Sequence, residues 1–229
     1  MNIDWRTYLI TQADLSAGRT TPEIVAAAIE GGVGVVQLRE KHATVRERLR
    51  VGREVRSLTA DARVPFVVND RVDLALALDA DGVHLGDDDL PVAAARDLLG
   101  DDAIVGRSVS SVAGAERAEA TGADYLGVGA VFPTESKNVT SEQAERGVET
   151  VRRVADAVDL PLVGVGGITP ENADEVAAAG ADGAAVITAI TAADHPAAAT
   201  RALREAVDAG RATGADDAAS TGTERGDGR

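Results

Sequence analysis

The strongest constraint on the fold of this chain is a regular alternation of short apolar runs with longer segments rich in alanine and charged residues. The short runs consist of Val, Ile, Leu and Gly, which is typical of buried parallel strands. The longer segments have the spacing of amphipathic helices. Eight such strand and helix units follow one another between residues 7 and 209. This pattern predicts an α/β fold, a (β/α)8 TIM barrel in a single domain.

The boundaries of the units follow from periodicity and from helix start and stop signals. The predicted strands cover residues 7–11, 34–41, 64–69, 81–86, 103–108, 123–132, 160–168 and 183–188. The predicted helices start near Thr21, cover 44–60, 72–79, 91–99 and 111–121, end near Val158, start at Thr169 and Pro170, and cover 195–209. Residues 1–209 are therefore predicted to form the barrel domain. Residues 210–229 are polar, rich in glycine and without apolar periodicity, which predicts a disordered C-terminal tail.

Composition excludes several classes of function. The formal net charge of -15 argues against a nucleic-acid partner, because binding to a phosphate backbone needs clustered positive charge. The chain has no cysteine, which excludes disulfides, a thiol nucleophile and a cysteine-based metal site. No apolar run approaches the roughly 20 residues of a membrane span. We therefore expect a soluble, cytoplasmic protein with small-molecule partners and no membrane partner. The sequence leaves a homo-oligomer open.

Lysine is almost missing from this chain. Of the 23 basic residues only Lys41 and Lys137 are lysines, while acidic residues are abundant. This composition resembles that of proteins from salt-loving organisms, whose acidic surfaces keep them in solution at high salt. The two remaining lysines are therefore candidates for a role that arginine cannot fill.

The second predicted strand, residues 34–41, carries three polar side chains at its carboxyl end. Because side chains alternate along a strand, Gln37, Arg39 and Lys41 should project to the same side as Val35. An amide, a guanidinium and an ammonium group together could receive an anionic ligand. An ordinary amphipathic strand with a solvated charged end is the alternative.

Carboxylates follow the third and fourth predicted strands. Asn69 and Asp70 come after one strand, and Asp87, Asp88 and Asp89 come after the next. Mg²⁺ prefers a few carboxylates together with water and substrate phosphate oxygens, so one aspartate from each loop is a reasonable pair of ligands. Capping of the following helices is the alternative, and the run of three aspartates leaves the ligand ambiguous.

Later loops carry groups that suit phosphate. The sequence GVGGIT at 164–169 ends the seventh strand, and glycines there would allow backbone N–H groups to approach an anion. With Thr188 after the eighth strand, this matches the phosphate site common in barrels, although a plain turn is the alternative. PTESK at 133–137 places two hydroxyls and a lysine on the longest connection, either as a lid or as a solvated loop.

Three further residues allow two interpretations each. Ser108 could donate to a phosphate or cap a helix, and His84 is better explained as a buried, hydrogen-bonded histidine than as a general base. Trp5 is expected to pack in the core or at the bottom of the barrel. Taken together, the residues at the strand ends indicate a Mg²⁺-assisted reaction of a phosphorylated or diphosphorylated substrate.

These motifs, in this order, resemble those of the thiamine-phosphate synthase family. The resemblance covers roughly residues 7 to 207 and rests on QLREK, VVND, DGVHLG followed by Asp89, GRS, FPTESK, VGVGGIT and VITAI. It implies an enzyme, a transferase that joins hydroxymethylpyrimidine diphosphate to hydroxyethyl-methylthiazole phosphate. The products are thiamine phosphate and pyrophosphate. The diphosphate departs first in this reaction, and the thiazole nitrogen then captures a pyrimidine-stabilised cation.

The resemblance also implies roles for residues at matching motif positions. Arg39, Lys41, Lys137 and Ser108 would act catalytically on the departing diphosphate. The implied contacts of the pyrimidine diphosphate are Gln37, Leu38, Arg39, Glu40, Lys41, Asn69, Ser108 and Lys137. The implied contacts of the thiazole phosphate are Thr134, Glu135, Ser136, Gly167, Ile187 and Thr188. Asp70 and Asp89 would hold the cofactor, Mg²⁺.

Two positions depart from the family pattern, and two alternative functions stay open. Asp87 stands where the family commonly has glutamine, and Arg107 replaces a small apolar residue beside Ser108. The first could alter metal binding, and the second could be a surface adaptation to salt. One alternative is a thiazole tautomerase-like barrel that transfers a proton on a thiazole phosphate with a histidine. The other is a noncatalytic regulator that binds phosphorylated ligands.

Overall fold

A closed barrel of eight parallel strands forms the centre of the protein, as predicted. The computed structural model describes residues 3–133 and 141–223. Each strand pairs with its neighbours in chain order, and β8 closes the barrel against β1. The strands are β1 Thr7–Ile10, β2 Val35–Leu38, β3 Phe66–Asn69, β4 Gly82–Leu85, β5 Ile104–Val109, β6 Tyr125–Gly129, β7 Leu162–Val165 and β8 Gly183–Val186.

Helices follow the strands and form the outer layer. They are α1 Thr21–Glu30, α2 Val45–Ala62, α3 Val72–Ala77, α4 Val92–Leu99, α5 Val112–Ala120, α6 Ser141–Ala155, α7 Ala173–Ala178, α8 Thr188–Thr191 and α9 Pro196–Thr223. Side-chain caps define the start of several of them. Thr20 accepts from the backbone N–H of Glu23, whose carboxylate accepts from the N–H of Thr20 in return. Such a capping box satisfies donors that the first helical turn leaves unpaired.

Alternation along the strands creates two apolar layers. In β2, Val36 and Leu38 pack outward against the helices, whereas Val35 packs inside the barrel. Tyr8 and Tyr125 belong to the interior layer, where Trp5 stacks on Tyr125 with ring centroids 4.5 Å apart. Since Trp5 precedes β1, it packs at the end of the barrel where the strands begin, as expected. The carboxyl ends of the strands lie on the opposite side of the barrel, where the cavity is found.

Seven of the eight strands are shorter than the sequence predicts, and β5 has the predicted length but starts one residue later. β2 ends at Leu38, so Arg39 and Lys41 lie in the loop after it rather than in the strand. The N–H of Arg39 donates to the hydroxyl of Thr11 at 3.1 Å, which holds the chain beside β1 beyond the last strand residue. A four-residue strand is roughly 13 Å long, and this length sets the height of the barrel wall.

The prediction that Thr169 and Pro170 open the seventh helix is wrong. The helix starts at Ala173, because residues 169–172 form a turn in which the N–H of Thr169 donates to the side-chain oxygen of Asn172 at 2.8 Å. The short helix α8 after the eighth strand was not predicted. It contains four residues, too few for a periodic pattern.

The predicted end of the last helix near Ala209 is also wrong, because α9 continues to Thr223. Its extension packs on α7: a Cβ added at Gly210 would lie 2.1 Å from the carbonyl oxygen of Asp174. Arg211 contacts Asp182, just before β8, at 3.2 Å. The absence of apolar periodicity after residue 209 was misleading, since Gly210 and Arg211 make these contacts without a large apolar side chain. The division of the chain at residue 209 stays a prediction.

Within residues 3–133 and 141–223, no helix combines the length and the apolar character needed to cross a membrane.

Candidate active site

A cavity of about 810 Å³ opens at the carboxyl ends of the strands. Side chains and backbone from loops far apart in the sequence line it, in the arrangement common to barrel enzymes. The predicted site residues that line this cavity are Gln37, Arg39, Lys41, Asn69, Asp70, Asp89, Ser108, Gly167, Ile187 and Thr188. The structure therefore brings these residues together, while the role of each stays a prediction.

Two of the predicted contacts do not line the cavity. Leu38 is 2% exposed and packs in the outer layer, between the barrel and the helices. Glu40 is buried beside the loop after β1, where its carboxylate accepts from the N–H of Ala13 at 2.8 Å and from the hydroxyl of Thr21 at 2.7 Å. The side chains of Leu38 and Glu40 therefore pack outside the cavity and help to hold its wall in place.

Four further predicted residues, Thr134, Glu135, Ser136 and Lys137, lie outside the described residues.

Substitution of Glu40 tests its supporting role. Glu40→Ala would leave the buried hydroxyl of Thr21 and the partly buried N–H of Ala13 without their acceptor, and we expect the free energy of unfolding to fall by about 1 to 3 kcal/mol. Glu40→Gln keeps one acceptor oxygen and should lose less. Urea-induced unfolding at constant salt measures both variants. Equal stability of Glu40→Ala and the unmodified protein would contradict this role.

Arg39 is the most buried cation of the cavity wall. Its guanidinium donates to the side-chain oxygen of Gln12, and the residue lines the cavity. Burial lowers the pKa of Arg39 from its ordinary value, and the nearby carboxylates of Asp70, Asp14 and Glu40 oppose this shift. Arginine stays charged despite such a shift, so the cavity holds a partly desolvated positive charge.

Two carboxylates from different loops, those of Asp70 and Asp89, meet in the cavity on the side of Arg39 and Lys41. Asp70 adopts a left-handed backbone conformation with φ of 64°, and its carboxylate lies 3.4 Å from the ammonium group of Lys41. Asp89 accepts from the N–H of Gly86 at 2.6 Å. Burial raises the pKa of Asp70, the close approach of Asp89 raises it further, and Lys41 acts in the opposite direction. Two like charges in contact make this pair suitable for a cation.

The residues present fit a magnesium ion. In the residues that the structure describes, no group of three or more His, Asp or Glu side chains could hold a metal ion by itself. Mg²⁺ usually binds through one or two carboxylates and completes its shell with water and substrate phosphate oxygens. Asp70 and Asp89 supply that number of hard oxygen ligands.

Capping does not explain Asp70 or Ser108. The residue before α3 is Arg71, and no side chain caps that helix. The cap of α5 is Ser111, three residues after Ser108. Among the three consecutive aspartates, Asp89 is the one beside Asp70, which reduces the ambiguity left by the sequence.

Asp87 and Arg107, the two positions that the sequence predicts to depart from the family pattern, contact each other. The guanidinium of Arg107 donates to the carboxylate of Asp87 at 2.6 Å and to the carbonyl oxygen of Leu85 at 3.1 Å. Asp87 is thereby held by β5. This pair forms at the rim and ties the carboxylate loop to the strand that carries Ser108.

Sequence reasoning missed two residues at the base of the cavity, Tyr8, which lines it, and Tyr125, which lies beneath it. Ser108 contacts the Nε2 atom of His84 at 2.9 Å, and the Nδ1 atom lies 2.9 Å from the hydroxyl of Tyr125. The interpretation of His84 as a buried, hydrogen-bonded histidine is confirmed. A usable signal was present, because a chain with only 2% aromatic residues places both of its tyrosines on inward-facing strand positions.

The loop after β7 forms the opposite wall. Gly166 and Gly167 have φ of 100° and 65°, which other residues rarely adopt. A Cβ at Gly167 would lie 2.6 Å from the carbonyl oxygen of Pro133. These glycines allow the loop to pass close to the segment after β6, next to Ile187 and Thr188. Binding of a phosphate there stays a prediction.

Comparisons with known proteins show which proteins this chain is similar to. The family model described as thiamine monophosphate synthase matches residues 7–190. Thiamine-phosphate synthase of Haloquadratum walsbyi is 64% identical over 208 residues, covering 91% of this chain and 93% of the relative. The Haloarcula marismortui protein of the same name is 64% identical over 210 residues, covering 91% of this chain and all of the relative. The solved structure of thiamine phosphate pyrophosphorylase from Pyrococcus furiosus has a TM-score of 0.81 and 40% identity, covering 90% of this chain and 97% of that one.

Proposed function

The chain belongs to the thiamine-phosphate synthase family, a family of transferases that release pyrophosphate, and we propose how its cavity performs this reaction. The substrates are hydroxymethylpyrimidine diphosphate and hydroxyethyl-methylthiazole phosphate. The bond between the pyrimidine methylene carbon and the diphosphate oxygen breaks, and the oxygen keeps the electron pair. The thiazole nitrogen then donates its lone pair to the methylene carbon, which gives thiamine phosphate.

One observation carries the proposal: cations and carboxylates from separate loops meet at one cavity. Arg39 and Lys41 follow β2, while Asp70 and Asp89 follow β3 and β4. Negative charge develops on the diphosphate as it leaves. Preorganised cations that contact this charge lower the barrier.

The roles of the individual residues follow from their chemistry. Arg39 can contact two oxygens of the diphosphate at once, and Lys41 supplies a compact charge beside Asp70. Gln37, Asn69 and Ser108 supply neutral polar groups for the pyrimidine diphosphate. By the motif, Lys137 would add a third cation. No covalent nucleophile is needed.

Asp70 and Asp89 would hold Mg²⁺. When bound, the ion supplies a hard positive charge to the diphosphate oxygens. Asp89 is assigned as the ligand rather than Asp87 because Asp89 lies beside Asp70, whereas Asp87 pairs with Arg107 at the rim.

The thiazole phosphate would bind at the opposite wall. Gly167, Ile187 and Thr188 line that wall, where barrels commonly bind phosphate. By the motif, Thr134, Glu135 and Ser136 would complete the contacts. The thiazole nitrogen would then face the pyrimidine methylene across the cavity.

The tautomerase alternative requires a histidine that can transfer a proton to a ligand. His84 is the histidine of the cavity wall, and both of its ring nitrogens contact other side chains, Tyr125 and Ser108. His42 lies near Asp14, with its side chain 76% exposed. The arrangement therefore favours the synthase. A cytoplasmic location and a possible homo-oligomer stay predictions from the sequence.

A product assay tests the proposal. Purified protein at high salt is mixed with both substrates and Mg²⁺, and thiamine phosphate and pyrophosphate are measured by chromatography. We expect both products in equal amounts, and none when either substrate is left out. Product formed equally well without a divalent ion, or by Lys137→Ala at the full rate, would contradict the mechanism. Isomerisation of the thiazole phosphate alone would support the tautomerase instead.

A further inference from the structure

A chain of hydrogen bonds crosses the barrel interior beneath the cavity. The Nε2 atom of Gln37 donates to the hydroxyl of Tyr8 at 2.7 Å, and that hydroxyl lies 2.7 Å from the hydroxyl of Tyr125. The hydroxyl of Tyr125 lies 2.9 Å from Nδ1 of His84, whose Nε2 lies 2.9 Å from the hydroxyl of Ser108. We call these five residues the interior chain. They come from five different strands, and both ends line the cavity.

Two strand glycines make room for the interior chain. A Cβ at Gly106 would lie 2.2 Å from the Cζ atom of Tyr125, and a Cβ at Gly127 would lie 3.0 Å from Cε1 of His84. A side chain at position 106 would therefore collide with the Tyr125 ring, and one at position 127 would press on the His84 ring. The rings are fixed in the place where the hydrogen bonds form.

Both tyrosines are neutral phenols. Each is at most 1% exposed, and burial raises the pKa of Tyr8 and of Tyr125 above the ordinary value for tyrosine. Each hydroxyl therefore keeps its proton and needs an acceptor, because a buried donor without a partner is costly.

The direction of the hydrogen bonds follows from counting protons. Gln37 donates to Tyr8, so the proton of Tyr8 goes to the oxygen of Tyr125, its other partner. The proton of Tyr125 then goes to Nδ1 of His84. An Nδ1 atom that accepts carries no proton, so a neutral ring has its proton on Nε2 and donates to the oxygen of Ser108.

The opposite direction leaves a proton unsatisfied. If Nδ1 of His84 carried a proton, Tyr125 would accept it and would donate to Tyr8. Tyr8 would then accept from both Tyr125 and Gln37, and its own proton would have no acceptor in the interior chain. A doubly protonated imidazole leads to the same conflict. The orientation of the Gln37 amide thus fixes the tautomer of the histidine.

We propose that the interior chain holds His84 as the Nε2–H tautomer and thereby makes Ser108 a hydrogen-bond donor to an anionic group of the bound substrate. This inference rests on the proposed function only in identifying that group as an oxygen of the diphosphate. Because the oxygen of Ser108 accepts from His84, its proton is directed away from the ring and toward the cavity. His84 and Tyr125 are positioning residues that act through Ser108.

The fixed direction of the Ser108 hydroxyl determines which ligand groups it can bind. A serine hydroxyl that is free to rotate can accept or donate, and its bond to an anion then costs ordering of the hydroxyl. In this cavity the ordering is already present before the substrate arrives. Ser108 therefore favours an anionic oxygen over a ligand group that must donate.

The tautomer can be measured directly in the free protein. The chain has three histidines, His42, His84 and His195, so ¹⁵N-histidine labelling gives a spectrum in which each ring can be assigned. We expect an unprotonated Nδ1 and a protonated Nε2 at His84. A proton on Nδ1, or a doubly protonated ring at neutral pH, would overturn the proposal. This measurement needs no substrate, so it stays valid if the proposed reaction is wrong.

Two matched variants test the origin of the tautomer. Tyr125→Phe removes the donor to Nδ1 and should give a mixture of tautomers at His84. Tyr8→Phe removes the neighbouring hydroxyl, but Gln37 is also within reach of Tyr125, which can still donate to His84. Tyr8→Phe should therefore keep the Nε2–H tautomer. A pure Nε2–H tautomer in Tyr125→Phe would overturn the proposal, and His42 and His195 serve as internal references in both.

A double-mutant cycle connects the tautomer to turnover. We expect Ser108→Ala and Tyr125→Phe each to lower kcat by about tenfold or more, with a smaller effect on KM, because the donated bond matters most as charge develops. The combined variant should be no slower than Ser108→Ala, since Tyr125 acts only through the serine. Additive losses would show that Tyr125 acts independently and would overturn the positioning role. Product formation by the unmodified protein tests the proposed function separately.

Discussion

Arg39→Ala is expected to lower turnover by about 100-fold or more, the scale seen when one preorganised charge-stabilising group is removed. The guanidinium is held beside the cavity by Gln12, and burial makes its charge more effective than a surface charge. The diphosphate gains negative charge as it leaves, so the loss should appear in kcat more than in KM. Steady-state measurement of pyrophosphate release, with the substrate concentrations varied, separates the two constants.

Two matched variants make this result specific. Arg39→Lys keeps the positive charge but loses the planar group that can bind two oxygens, so its activity should lie between Arg39→Ala and the unmodified protein. Arg50→Ala removes an arginine that pairs with Glu47 and Glu54 on the exposed surface of α2. We expect no loss of activity there. An Arg39→Ala variant as active as Arg50→Ala would refute the role of Arg39.

The barrel could be predicted because its signals are local. Each short apolar run is followed by a helical segment, and several of these helices begin at recognisable caps, such as Thr44 before α2 and Ser111 before α5. Parallel strands joined by helices put all carboxyl ends on one side. That rule alone was enough to predict that Arg39, Asp70 and Ser108 lie at one cavity.

Other features depend on contacts that no local pattern contains. Glu40 follows a cavity residue in the sequence, yet it contacts Ala13 and Thr21 behind the wall. The link from Tyr125 to His84 depends on the register of β4, β5 and β6 and on the space left by Gly106. These relations arise only when the barrel closes, so the sequence could suggest the residues but not their partners.

The pair formed by Asp87 and Arg107 shows how a departure from a family pattern can be understood from structure. Taken singly, each substitution places a charge at the rim. Together they form a contact at 2.6 Å, with the aspartate exposed and the arginine half-buried. At molar salt the screening length is about 3 Å, so direct contacts persist while longer-range attraction is lost. The opposite charges of the pair therefore cancel at the rim, and the positive charge of the cavity wall comes from residues such as Arg39 and Lys41.

Asp89→Asn is expected to have the second large effect, a loss of activity of about 100-fold or more, because Mg²⁺ would lose one of two carboxylate ligands. Asparagine keeps the acceptor for the N–H of Gly86, so the loop should stay in place. Isothermal titration with Mg²⁺ and pyrophosphate should show binding to the unmodified protein and much weaker binding to the variant. This readout does not depend on turnover.

The same substitution should make the metal-free protein more stable. Burial and the neighbouring Asp89 both raise the pKa of Asp70, which means that the folded state disfavours the charged carboxylate at neutral pH. Removal of the charge on Asp89 relieves part of this cost, so the Tm without Mg²⁺ should rise. Addition of Mg²⁺ with pyrophosphate should raise the Tm of the unmodified protein much more than that of Asp89→Asn.

Asp88→Asn provides the matched control in the same loop. Asp88 is exposed and adjacent in sequence, so its substitution removes the same charge without removing the partner of Asp70. We expect nearly full activity and an unchanged Tm in the metal-free protein. Should Asp88→Asn lose activity as strongly as Asp89→Asn, the loop would act through its total charge rather than through one ligand. The proposal expects Asp89→Asn to be more stable and inactive, and Asp88→Asn to be active. That result would mean that holding two carboxylates together for a cation lowers the stability of the metal-free protein.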